Sequence, residues 1–323
     1  MRVTQTATLV LATVAIVGSH ASAEQSAEHV NRLAIFDNER IGFGDGQSRE
    51  IQKTIQLPPV DANSRLVLNI DIDPDKDPWD KAGSLHLILE DGRRVQLMPF
   101  ITGFMGDTDH SRDITALLPL LRTGPVKVEA FIDTWVKDGW RFSASIDVVP
   151  AKSPAQTQPA WAAPAIPLDT GFDKREPRDF TVDVPPGMDK IVLTYFATGH
   201  HREDKGNSDE FHKRRHHLLV NGKEVWTEIP WRTDGPKFRH VNPRSGRWDR
   251  DGDGKTNSPY PKDAWSSDFP RSGWIPGDQV HPYEIDLTEH LKQGGPYTIT
   301  LKIDDIDKDS FWRVSAYFSG WKK

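Results

Sequence analysis

The chain has no cysteine. That absence rules out disulfide staples, thiol nucleophiles and cysteine-ligated zinc, so stability has to come from packing and sheet hydrogen bonds. Helical periodicity is also scarce, which argues against helical and α/β architectures. There is no excess of basic residues. The formal charge of the 323-residue chain is −6, which argues against nucleic acid as a partner. Beyond the N-terminus no apolar run is long enough to span a bilayer, and no internal repeat is evident at the residue level.

What is present fits an exported, turn-rich β protein. Residues 1–23 read as a cleavable signal peptide. Arg2 supplies the positive start and Leu9–Val17 the apolar stretch, and Ala21-Ser22-Ala23 precedes a cut before Glu24. The expected location is therefore secreted or periplasmic. Loss of Arg2 with the leader moves the charge from −6 to −7. All 11 tryptophans lie in the mature part, and 24 prolines with 24 glycines suit frequent turns between strands.

Residues 24–150 carry seven short alternating runs, at 33–36, 51–56, 65–72, 84–89, 94–100, 126–133 and 141–149. Runs of this length with turn signals between them indicate an antiparallel sandwich or jelly roll. Asp113–Leu121 reads as a short helical turn. Asp71, Asp73, Asp75 and Asp77 read as a solvated acidic run, while Asp80 lies beside the apolar wall of Trp79 and next to Lys81 at a strand mouth. Further on, alternation puts Phe131, Asp133 and Trp135 on one strand face. An aromatic–carboxylate–aromatic face is either a saccharide surface or an edge strand whose aspartate caps a neighbouring loop.

Residues 151–167, with four prolines and six alanines, read as a stiff connector to a second domain at 168–323. Strands are expected there at 179–184, 190–196, 216–220, 284–287, 297–303 and 313–318. The polar stretch 197–222 reads as a long functional loop presenting His200, His201, Glu210, His212, His216 and His217. His216 and His217 point to opposite faces of a strand, so they cannot share one metal ion without bending. Asp249–Asn257 resembles the start of a calcium loop, but Tyr260 stands where an EF-hand needs a bidentate glutamate, so a solvated turn is expected. Arg271-Ser272-Gly273-Trp274-Ile275-Pro276-Gly277 places a cation and an indole in a Gly/Pro-rigid loop.

Taken in order, these residues resemble the bacterial secreted peptide-N-glycosidase F family. The matching stretches are Phe43-Gly44-Asp45-Gly46, Trp79-Asp80, Phe100-Ile101-Thr102, Asp113-Ile114-Thr115 and Asp133-Thr134-Trp135. They continue through Gly199-His200, Glu210 with His216 six residues on, Asn221, the Arg271–Gly277 loop and Ile285-Asp286. The resemblance implies an all-β fold of two consecutive eight-stranded antiparallel jelly-roll sandwiches packed side by side. It also implies hydrolysis of the amide joining asparagine to the first GlcNAc of an N-glycan. Carried over by position, Asp80 is the principal acid/base, Glu210 the second acid across the domain interface and Asp133 an assisting carboxylate. Arg271 would stabilise charge on the carbonyl oxygen, Trp79, Trp135 and Trp274 would stack on the sugar, and Lys81 and His200 would line the site.

Lys81 stands where the family has arginine, and Asp133 where it has glutamate. Ile275 occupies a family cysteine position, and the family's tryptophan is missing before Gly199-His200. The resemblance calls for no metal or organic cofactor, for an N-linked glycoprotein or glycopeptide as substrate, and for a monomer. Two alternatives remain at this stage. One is a glycan-binding protein on the same scaffold without catalysis, and the other is a copper monooxygenase-like protein using the histidines as ligands.

Overall fold

A computed structural model describes residues 31–61, 64–122, 124–150, 158–172, 177–201, 209–245 and 265–322. The expected leader at 1–23, the first part of the expected connector and the 249–257 stretch lie outside the described residues. Strands in chain order are β1 (Asn31–Ile41), β2 (Glu50–Ile55), β3 (Ser64–Pro74), β4 (Ala82–Ile88), β5 (Arg94–Ile101), β6 (Thr108–Asp113), β7 (Val126–Ile132) and β8 (Trp140–Pro150). They continue as β9 (Trp161–Phe172), β10 (Arg178–Val184), β11 (Lys190–His201), β12 (His216–Val220), β13 (Lys223–Glu228), β14 (Tyr283–Asp286), β15 (Gly295–Ile303) and β16 (Ser310–Trp321). Helix is confined to short turns such as Leu118–Leu121 and Thr288–Leu291. No helix among the described residues is long and apolar enough to cross a membrane.

All ladders are antiparallel and make four four-stranded sheets. The first domain has orders β1-β8-β3-β6 and β2-β7-β4-β5, and the second has β14-β11-β16-β9 and β10-β15-β12-β13. Subtracting eight from each second-domain number gives 6-3-8-1 and 2-7-4-5, the same arrangement. The expected pair of eight-stranded jelly rolls is therefore present, and the repeat hidden in the sequence is one of topology. Alternation explains why these strands form. Leu66, Leu68, Ile70 and Ile72 of β3 bury one face, as do Val126, Val128, Ala130 and Ile132 of β7.

The domains share an interface rather than a hinge. A short antiparallel ladder joins the end of β5 to residues 277–280: Gly277 N donates to Ile101 O (3.0 Å), Ile101 N to Asp278 O (3.0 Å) and Val280 N to Pro99 O (2.8 Å). Phe196, Trp274, Val280 and Tyr317 of the second domain enter the first domain's core. The opposed faces also carry a buried polar row in which His86 Nε2 lies 2.6 Å from Glu129 Oε1, with Gln52 donating to the same carboxylate. Next to this row, the Ser315 hydroxyl donates to Gln96 across the interface.

Three expectations change. Residues 161–167, read as connector, are strand: β9 pairs with β16 and fills that sheet's edge. Strands β6 and β13 went unrecognised, because their mixed polar sequences lack clean alternation. The 197–222 loop is shorter than expected, since β11 runs on to His201 through its pairing with β16 and β12 begins at His216.

Candidate active site

Asp80 sits at the mouth of β4, held from both sides. Asp77 is fully buried rather than solvated as expected. Its carboxylate accepts from Trp79 N (3.2 Å) and Thr134 Oγ1 (2.6 Å), which pins the turn in front of Asp80. Behind it, Lys81 N donates to Thr102 Oγ1 (2.8 Å) while Thr102 N donates to Lys81 O (2.9 Å). Asp80 is walled by protein yet still reachable by water. Burial pushes its carboxyl up to about 6, and the negative charge of Glu210 adds to that rise. Arg271 and Lys81 pull the other way without cancelling it. Two carboxylates about 130 positions apart in sequence (210 minus 80), one from each domain, therefore lie within electrostatic reach of each other.

Glu210 follows an anchoring aspartate too. Asp209 is fully buried and accepts from Arg214 Nε (2.6 Å) and Trp312 Nε1 (3.0 Å). Glu210 itself is 7% exposed, and both its oxygens are engaged: His201 Nδ1 lies 2.8 Å from Oε2, and Arg271 Nε donates to Oε1 at 3.0 Å. Burial alone would raise this carboxyl. The His201 bond and the Arg271 charge outweigh it, so Glu210 titrates below the usual glutamate range. Arg271, 2% exposed, also donates from Nη1 to Ser266 O (2.7 Å) and lies over the Trp274 ring at 4.8 Å. The approach of this loop to β11 requires glycine. A Cβ at Gly199 would meet Asp209 O at 2.6 Å, and one at Gly273, whose φ is +83°, would meet Ala197 O at 2.1 Å.

Asp133 does not join the pair. Its oxygens accept from Arg49 Nη1 (2.9 Å) and, across the domain interface, Arg313 Nη2 (2.5 Å). Trp135 is 61% exposed, packs on Phe43 at 5.0 Å, and has the Arg49 guanidinium 4.3 Å from its ring centre. Trp79 is 57% exposed, with its edge toward Phe104. Both rings are largely exposed to solvent.

Two expected contacts are corrected. Trp274 is 4% exposed, with Nε1 donating to Gly199 O (2.8 Å), so it is a packing residue and offers no open face to a sugar. His200 is stacked between Trp274 (5.5 Å) and Phe311 (5.4 Å), with Nε2 2.7 Å from Thr198 Oγ1. Burial holds it well below the usual histidine value, hence neutral. It supports the site from behind and does not form its rim.

The remaining histidines diverge. His216 is buried with Nδ1 2.7 Å from Tyr195 Oη, and His217 faces Glu224 and Asp304. Among the described residues no three His, Asp or Glu side chains gather in a metal-sized group. Sequence reasoning missed Arg49, Arg313 and the pairing of His201 with Glu210. Alternation along β16 puts Arg313 on the face of Ser315 and Tyr317, but nothing in the chain announced that this face meets the other domain.

Against known proteins, residues 168–319 match the family described as peptide-N-glycosidase F, C terminal. The chain therefore carries, in its second domain, the C-terminal domain of the peptide-N-glycosidase F family. Its fold resembles PNGF-II (TM-score 0.78, 21% identity), covering 91% of this chain and 65% of that one, so it spans about two thirds of PNGF-II. It also resembles PNGase F, a glycosylasparaginase from Flavobacterium meningosepticum (TM-score 0.71, 18% identity), over 91% of this chain and 96% of that one. A further likeness is to a peptide-N(4)-(N-acetyl-β-D-glucosaminyl) asparagine amidase (TM-score 0.72, 17% identity, 91% and 96% covered). Identities this low establish a shared fold. Among curated proteins none matches by sequence.

Proposed function

We propose that the protein is an exported amidase that cleaves the amide between an asparagine side chain and the first GlcNAc of an N-glycan. The observation that carries this reading is the unequal carboxylate pair. Asp80 and Glu210 come from different domains and the Glu210 charge acts on Asp80, yet only Asp80 is raised, to about 6. Two acids pushed apart in this way can divide labour, one exchanging a proton near neutral pH and the other staying ionised.

Asp80 has no donor among the described residues besides its own backbone amide, so its oxygens are available to water and substrate. It takes a proton from water as the oxygen adds to the asparagine carbonyl carbon. It returns that proton to the amide nitrogen as the C–N bond breaks. The products are aspartate in the peptide and a glycosylamine, and every glycosidic bond is retained. Glu210, with both oxygens committed, supplies a fixed negative charge that keeps Asp80 basic. Arg271 and Lys81 supply positive charge near the developing oxyanion. Trp79 and Trp135 present open ring faces for the sugar. Export through the leader at 1–23 would leave Glu24 as the first residue of the mature protein, which N-terminal sequencing reads directly.

The assay is incubation of the mature protein with a defined N-glycopeptide, followed by mass analysis. Conversion of the glycosylated asparagine to aspartate with release of intact glycan is expected. A well-folded protein inert on high-mannose, complex and core-trimmed glycopeptides alike would overturn the proposal.

A further inference from the structure

The geometry points to His201 as a positioning residue that, opposite Arg271, clamps Glu210 in one rotamer and confines it to an electrostatic role in the reaction. This rests on the proposed amidase chemistry at the Asp80–Glu210 pair, but the contact itself is independent of it. His201 is the last residue of β11, in register with Ser310 of β16. Successive residues of a strand face opposite ways. His200 accordingly goes into the Trp274–Phe311 stack, and His201 turns toward Glu210.

Its Nδ1 lies 2.8 Å from Glu210 Oε2, while Arg271 Nε holds Oε1 at 3.0 Å. An ionised carboxylate only accepts, so Nδ1 must carry the hydrogen, which fixes the imidazole tautomer. The charged groups facing this pair are Arg271 from the 271–274 loop, Asp80 from the first domain and Arg313 of β16, which acts on neighbouring His200. A carboxylate gripped at both oxygens by charge-assisted donors is poorly placed to take a proton from water or substrate. Proton transfer then falls to Asp80, and His201 affects turnover only through Glu210.

The test is a double-mutant cycle on the mature protein. His201→Leu should lower kcat on a glycopeptide on the order of tenfold with KM little changed, because one charge-assisted donor is lost while sugar contacts remain. His201→Asn, whose amide can reach the same oxygen, should recover most of that loss. In a Glu210→Gln background His201→Leu should cost nothing further. Additive losses in the two backgrounds, or no recovery by asparagine, would overturn the inference.

A second readout does not need turnover. The ¹⁵N signals of His201 should report the Nδ1–H tautomer at pH 8 in the parent protein and lose that preference in Glu210→Gln. An unchanged tautomer would overturn the inference even if the protein proved inactive. Inactivity with the expected tautomer shift would instead sink the amidase reading and leave the clamp standing.

Discussion

The two jelly rolls are built alike and put the same places to opposite use. The connection from the third to the fourth strand carries Asp80 in the first domain, and its counterpart between β11 and β12 carries Glu210 in the second. Each loop hangs on a fully buried aspartate, Asp77 or Asp209. Each is braced by the connection from the fifth to the sixth strand, through Thr102 in one domain and Arg271 in the other. The braces differ in chemistry. Thr102 touches only the backbone beside Asp80, leaving the carboxyl with no directly bonded cation, whereas Arg271 donates straight to Glu210. Topology sets where an acid appears, and its bonded partners decide which protonation state it keeps.

The sharpest way to break this comparison is Asp80→Asn, which should lower turnover about 10²–10⁴-fold, the scale of a lost general acid/base. It should also stabilise the fold. A carboxyl whose native value is raised contributes stability at low pH and loses it as pH rises through about 6. The variant should therefore melt higher than the parent at pH 8, by up to ~3 kcal/mol, and equally at pH 4. A lower melting temperature at pH 8 would contradict the description of Asp80.

Glu210 should respond with the opposite sign, because its lowered value means stability present above the usual glutamate range and lost as pH falls through it. Arg271→Met strands that carboxylate in the interior and should cost about 3–5 kcal/mol in denaturant melts, along with activity. Trp274→Ala should cost about as much, since it opens a cavity in the shared core.

Asp133→Asn comes next, at about 1–3 kcal/mol, because Arg49 and buried Arg313 each lose a charged acceptor. Its kcat should fall less than that of Asp80→Asn. A loss as large would restore Asp133 to proton transfer. The smallest effect is expected from Trp79→Ala, where an exposed ring is removed. KM should rise about tenfold, a stacking contribution of about 1.5 kcal/mol, with thermal stability unchanged.

Much of this could be read from the chain. Strong alternation in β3 and β7 announced the sandwiches, and the family resemblance singled out Trp79-Asp80 and Glu210, which the fold brings within electrostatic reach of each other. Trp274 shows where reading stopped. An indole in a Gly/Pro loop looks the same whether it faces a sugar or, as here, is covered by His200 and Arg271. Asp133 shows the same limit, because its partner Arg313 lies 180 positions away in the other domain. Residues 161–167 were misread because the prolines and alanines that suggest a stiff connector also suit an edge strand paired on one side, as β9 is with β16.

The backbone ladder between β5 and residues 277–280 has a thermodynamic consequence. With main-chain hydrogen bonds, a common apolar core and the Arg313–Asp133 bridge all crossing the boundary, neither jelly roll can lose its structure without exposing the other. The pair should unfold as one calorimetric unit, with van't Hoff and calorimetric enthalpies equal, so Asp80 and Glu210 keep or lose their juxtaposition together.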